Sequence, residues 1–204
     1  FQNPEPTAFY DCMAFFDNHR GLALSDPING RFRILATSDG GRSWQIVDAD
    51  MPPALPGEFA FAASGQCLTV AGGQDAWFGT GGDAVARVFH SDDRGRTWTV
   101  ANTPIRSLSS GGISALAFRD PRHGIAVGSD FAPGAPSVDT LALTNDGGAT
   151  WQLNQNTPDG LRSGAHWVTG RDVIIDGQGG SDVSPDQGRT WRRFDAGSLD
   201  TAGQ

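Results

Sequence analysis

Thr37-Ser38-Asp39-Gly40-Gly41-Arg42-Ser43-Trp44 has three counterparts further along the chain. They are Ser91-Asp92-Asp93-Arg94-Gly95-Arg96-Thr97-Trp98, Thr144-Asn145-Asp146-Gly147-Gly148-Ala149-Thr150-Trp151 and Ser184-Pro185-Asp186-Gln187-Gly188-Arg189-Thr190-Trp191. The shared pattern is a hydroxyl residue, any residue, Asp, any, Gly, any, a hydroxyl residue, Trp. The third-place carboxylates (Asp39, Asp93, Asp146, Asp186) can accept backbone N–H groups of the turn that follows, and the fifth-place glycines (Gly41, Gly95, Gly148, Gly188) tolerate a left-handed backbone. The second hydroxyl residue starts the outgoing strand. The indoles (Trp44, Trp98, Trp151, Trp191) are then placed to lie against a neighbouring sheet, each burying on the order of 150–250 Å². Each box is therefore expected to close one hairpin and fill one gap between sheets.

Successive box aspartates stand 54, 53 and 40 positions apart, close to the roughly 40–50 residues of one four-stranded antiparallel blade. The pattern resembles the Asp-box (BNR) repeat of sialidase-like β-propellers. That resemblance implies an all-β propeller with blades at about 9–48, 58–101, 113–155 and 164–195, the box joining third strand to fourth. In blade two the strands are read as 58–63, 67–71, 85–90 and 97–101, which leaves 72–84 as a loop. Propellers of this family usually have six or more blades, so the chain is expected to supply part of a six- to eight-bladed ring. Its exposed flanks are expected to make the isolated chain self-associate.

Composition agrees with many short strands and turns: 28 glycines and 12 prolines among 204 residues. Twenty-three acidic residues against 15 basic ones give a formal net charge of −8, which disfavours nucleic acid and anionic membrane as partners. No 18-residue apolar run is present, so no membrane insertion is expected. The chain opens on Phe1 rather than Met and is read as a processed or excised piece that acts outside the cytoplasm, with 197–204 as a frayed tail. All basic residues are Arg, which excludes lysine chemistry such as a P-loop or a Schiff base. Cys12 and Cys67 are expected as buried free thiols, with a bridge between consecutive repeats as the alternative. His19, His90, His123 and His166 stand singly, without metal-ligand spacing, and no metal or cofactor is expected.

Strand alternation puts the box turns and the first-to-second-strand turns on one face. The remaining loops and the inter-blade links share the other face, where ligands of such propellers usually bind. Candidate ligand-face residues are Tyr10, Asp26, Glu58, Asp75, Trp77, Arg106, Asp130, Phe131, Arg162, His166 and Asp176, a mixture suited to a sugar or a polar peptide. The sialidase likeness implies three arginines on a substrate carboxylate, a Tyr–Glu nucleophile pair and an Asp acid/base. This chain has one tyrosine, Tyr10, and two glutamates, Glu5 and Glu58, so no catalytic residues are assigned. Endo-acting glycosidases with similar boxes use two Asp carboxylates, an alternative that the many aspartates keep open. The chain more closely resembles bacterial propellers of the photosystem II assembly and stability factor type, through its Asp-Gly-Gly-x-Ser/Thr-Trp boxes and strands such as His123-Gly124-Ile125-Ala126-Val127-Gly128. That resemblance implies a non-catalytic binding or assembly scaffold with a protein or glycan partner.

Overall fold

In the computed structural model, which describes residues 5–82 and 85–197, sixteen strands form four four-stranded antiparallel sheets. Blade one is β1 (Tyr10–Phe15), β2 (Gly21–Ile28), β3 (Arg31–Thr37) and β4 (Gln45–Val47); blade two is β5 (Leu68–Ala71), β6 (Asp75–Gly79), β7 (Arg87–Ser91) and β8 (Thr99–Asn102). Blade three is β9 (Gly111–Phe118), β10 (Gly124–Asp130), β11 (Leu141–Thr144) and β12 (Gln152–Leu153); blade four is β13 (Gly164–Trp167), β14 (Val173–Gly177), β15 (Gly180–Ser184) and β16 (Arg192–Asp195). Strands run in sequence order across every sheet. The first strands adjoin, β1 to β5, β5 to β9 and β9 to β13, so they mark the narrow side on which the blades converge. Helix is limited, among the described residues, to one 3₁₀ turn at Ala62–Ser64, and no helix is long and apolar enough to cross a membrane. Residues 198–204 of the expected frayed tail lie outside the described residues.

The four boxes share one hydrogen-bonded geometry. In the first, Thr37 Oγ1 donates to Asp39 Oδ1 at 2.9 Å and accepts the Gly41 N–H at 3.0 Å. Asp39 takes the Ser43 N–H on Oδ1 at 2.9 Å and the Ser43 hydroxyl on Oδ2 at 2.7 Å. These bonds from Ser43, the hydroxyl first and then the N–H, pull the Asp39 carboxyl down to about 2. The same contacts recur around Asp93, Asp146 and Asp186. The box glycines adopt φ between 83° and 89°, the left-handed region in which a Cβ is strained. Trp44, Trp98 and Trp151 each donate Nε1 to the carbonyl of their own box glycine, while Trp191 Nε1 finds no acceptor among the described residues.

Blade two departs from the sequence reading by one strand. Residues 58–63 belong to a link that runs into the 3₁₀ turn Ala62–Ser64, segment 67–71 supplies the first strand rather than the second, and the second strand, Asp75–Gly79, lies inside the expected loop. Glycine accounts for the difference. Gly79 and Gly81 suggest a turn, but a Cβ on Gly81 would stand 2.5 Å from Gly112 Cα and one on Gly79 would stand 2.4 Å from Ile113 Cγ2. Close approach of blades two and three, not a turn, requires them.

A repeated joint connects the blades. The box glycine of blade two lies on Leu22 of β2, that of blade three on Trp77 of β6, and that of blade four on Ile125 of β10 and Leu143 of β11. Leu22, Trp77 and Ile125 stand at matching register positions of their second strands. The joints are filled by apolar clusters, one uniting Leu22, Phe32, Phe78, Phe89 and Trp98, the next Trp77, Phe118 and Trp151. Among the described residues the joint is incomplete at the outer flanks: Gly41 and Trp44 rest on Phe15 of their own blade, and Ile174, the matching residue of blade four, is half-buried.

Cys12 and Cys67 form a disulfide, correcting the expectation of free thiols. Cys67 precedes β5, the first strand of its sheet, so it meets Cys12 of β1 where blades one and two converge. The bridge spans 55 positions and both cysteines are buried. Replacing both by Ser is expected to cost about 2–5 kcal/mol, read as a fall in the denaturant midpoint that reducing agent reproduces in the native protein; equal midpoints would show that packing alone holds the joint.

Candidate functional site

The face opposite the boxes carries a cup of about 320 Å³ lined by Phe9, Asp11, Asp26, residues 59–63 and Phe131. Each wall comes from a different element. A β-bulge interrupts the pairing of β1 with β2 between Tyr10 and Cys12, and the extra residue is Asp11, a device that re-aims a side chain. Asp26 comes from β2 and donates its N–H to Phe9 O at 3.0 Å. Phe59 is pinned through reciprocal 3.0 Å bonds to Gly81, and Phe131 through its N–H to Ser110 O at 2.9 Å. The rings form a continuous wall, Phe59–Phe61 at 4.9 Å and Phe61–Phe131 stacked at 5.6 Å.

Asp11 is the anomaly in this cup. It is 8% exposed, and neither carboxylate oxygen has a hydrogen-bond partner among the described residues. Burial, reinforced by the charge of Asp26, pushes its carboxyl up to about 7. The Asp26 N–H lies near enough to oppose this slightly, but its hydrogen bond goes to Phe9. Asp26 is itself raised by burial, an effect reduced by the bond its Oδ1 accepts from the Ala60 N–H at 3.0 Å.

Of the residues singled out from sequence, Asp26 and Phe131 meet in this cup. Tyr10 stands next to it in β1, with its hydroxyl raised by burial and by Glu5, against the opposing charge of Arg33. Asp130 and Arg106 lie on the same face. Asp130 is held low by the Ala132 N–H and the Ser110 hydroxyl, and Arg106 donates its backbone N–H to Asp139 O.

The remaining candidates are engaged elsewhere. Glu58 is buried and takes Thr80 Oγ1 at 2.6 Å, the Leu55 N–H at 2.8 Å and Arg87 Nε at 2.8 Å, which ties the inter-blade link to blade two. Arg162 is buried with its Nε 3.1 Å from Asp182. Asp75 starts β6 at the box end and pairs with His90 at 3.0 Å. Trp77 is fully buried between blades. Asp75 and Trp77 were assigned to the ligand face because β6 was read as loop, and the strand carries both away from it.

His166 and Asp176 lie in β13 and β14. His166 points to a cavity of about 500 Å³ lined by residues of β1, β5, β9 and β13. Gln66 spans that cavity, donating to His166 Nε2 at 2.9 Å and accepting the Ala165 N–H at 2.9 Å. Gln66 and His166 thus have partners in that cavity, whereas Asp11 of the cup has none among the described residues. Asp11, Phe9, Phe59 and Phe61 were not found from sequence. The available signal was an Asp beside a core cysteine in an otherwise apolar first strand. No group of three or more potential metal ligands occurs among the described residues.

No protein-family model and no curated protein sequence matches the chain. Solved structures do match. The GH74 enzyme of Niastella koreensis superposes with a TM-score of 0.67 at 17% identity, over 90% of this chain and 30% of that one. The GH74 xyloglucanase of Xanthomonas campestris gives 0.64 at 16% identity, again over 90% and 30%. YCF48 from Cyanidioschyzon merolae matches over 94% of this chain and 71% of its own at 15% identity, with a TM-score of 0.41. The chain thus spans about 30% of the length of the GH74 structures, and at these identities the likeness is one of fold: an arc of β-propeller blades.

Proposed function

We propose that this chain is part of a non-catalytic Asp-box propeller, a binding or assembly scaffold that works outside the cytoplasm through the face opposite its boxes. The observation that carries the reading is the phenylalanine-walled cup, on the face of the long links, whose lining includes an Asp11 without a hydrogen-bond partner among the described residues. The disulfide supports an oxidising compartment. The box aspartates are used up in their own turns, and an acidic chain is a poor ligand for nucleic acid.

Two carboxylates in one pocket also favour a second reading, a glycoside hydrolase. Acid/base pairs work when their environments push the two pKa values apart, whereas Asp11 and Asp26 are both pushed up. Neither glutamate is left to serve a tyrosine nucleophile: Glu5, whose charge reaches Tyr10, is held by Arg33, and Glu58 by Arg87 and Thr80. The test is a panel of oligosaccharides and peptides read for both binding and turnover. Binding without product supports the scaffold. Hydrolysis that disappears in Asp11→Asn and Asp26→Asn would replace it with the glycosidase.

A further inference from the structure

We propose that the Asp11–Asp26 cup binds an organic cation bearing N–H donors, an alkylammonium or guanidinium group, supplied by a free amine or by a basic peptide side chain. This rests on the reading that the face binds ligands and adds the chemistry of the ligand. An ionised carboxylate removed from water without a partner costs several kcal/mol, and the described residues offer Asp11 no counter-ion. Arg87 is held by Glu58 and Pro53 O, and Arg33 is held by Glu5 at 2.9 and 3.0 Å. Asp26 adds a second carboxylate to the same cup.

The walls then narrow the choice of ligand. Apart from the two carboxylates the lining side chains are phenylalanines and alanines, which donate no hydrogen bonds. An anion would meet only like charge. At pH 8, where Asp11 is ionised, a neutral sugar would find acceptors but no side-chain donors. A hard divalent cation needs six or more oxygen ligands, and two carboxylates among phenyl rings do not supply them. An ammonium or guanidinium group brings N–H donors to Asp11 and positive charge to ring faces, which attract cations within about 6 Å. Its alkyl stem can lie along Phe59, Phe61 and Phe131. The net charge of −8 raises the local concentration of cations.

The experiment is calorimetric and NMR titration of the full chain at pH 8 with n-butylammonium, tetramethylammonium and n-butanol, and with blocked Gly-Lys-Gly and Gly-Arg-Gly peptides. Butylammonium is expected to bind at least tenfold more tightly than butanol or tetramethylammonium and to shift the Ala60 amide, which donates to Asp26. A tighter peptide than butylammonium identifies a side chain as the source; the reverse identifies a free amine. Asp11→Asn should weaken binding at least tenfold. Asp159→Asn, exposed and outside the cup, should leave it unchanged. Equal affinity for butanol and butylammonium, or undiminished binding by a folded Asp11→Asn, overturns the proposal. If those results came with binding of a panel oligosaccharide or peptide on the same face, the cation would be excluded while the scaffold reading stood.

Discussion

Asp11→Asn is expected to stabilise the protein at pH 8, by about 2–3 kcal/mol, and to leave it unchanged at pH 4. The carboxyl titrates near 7 in the folded chain and near 3.9 when unfolded. Between those values the folded state holds a proton that the unfolded state has lost, so stability falls as pH rises, by about 1.4 kcal/mol per pH unit. That stability is fully present below about pH 4 and is lost by the time pH passes about 7. Three units set an upper bound of about 4 kcal/mol, which solvent at the open mouth of the cup reduces. Asn imitates the protonated form and escapes the loss. Thermal denaturation at several pH values reads the difference. A variant less stable than the native protein at pH 8 would mean that the carboxylate is compensated, and the cation site would lose its physical basis. The gain also shows that Asp11→Asn loses its ligand without unfolding.

Trp77→Ala is expected to cost about 3–5 kcal/mol. The ring stacks on Phe118 at 3.7 Å and on His90 at 4.7 Å, both within 7° of parallel, and its Nε1 donates to Gly147 O at 2.7 Å. Truncation leaves a cavity between blades two and three and an unanswered carbonyl in the third box. Trp77→Phe keeps most of the wedge and should lose only the hydrogen bond, about 1 kcal/mol. Urea titration of both variants checks the order. A loss below about 1 kcal/mol for the alanine variant would mean that the blades are held together elsewhere.

The boxes were legible because their chemistry is local: every partner of Asp39, Asp93, Asp146 and Asp186 in the turn lies within four positions. Three of the four blades followed from them. Blade two was misread because a glycine that permits close approach and one that makes a turn look alike in sequence, as Gly79 and Gly81 show. Phe59 and Phe61, in turn, imitate an alternating strand. The cup was the least legible part. It depends on a bulge at residue 11 and on rings from positions 9, 59, 61 and 131, which only the folded chain brings together. Glu58 and Arg162 were taken for surface groups, since sequence does not reveal a charge that is buried with its partner.

The joint between blades has a plug and a socket. A second-strand side chain enters the box of the next blade, and the arc leaves one unused half on each flank: Ile174 as plug, Gly41 with Trp44 as socket. Any blade that meets this arc, of the same chain or of another copy, has to present a left-handed glycine to Ile174 or an apolar side chain to Gly41. Contact of this kind is directional, like a thread. If four blades sweep half a turn, two copies close on each other, and a third of a turn closes with three; a sweep that is no whole fraction of a turn leaves a plug unspent and the series continues, the condition under which heterologous contacts build filaments rather than rings.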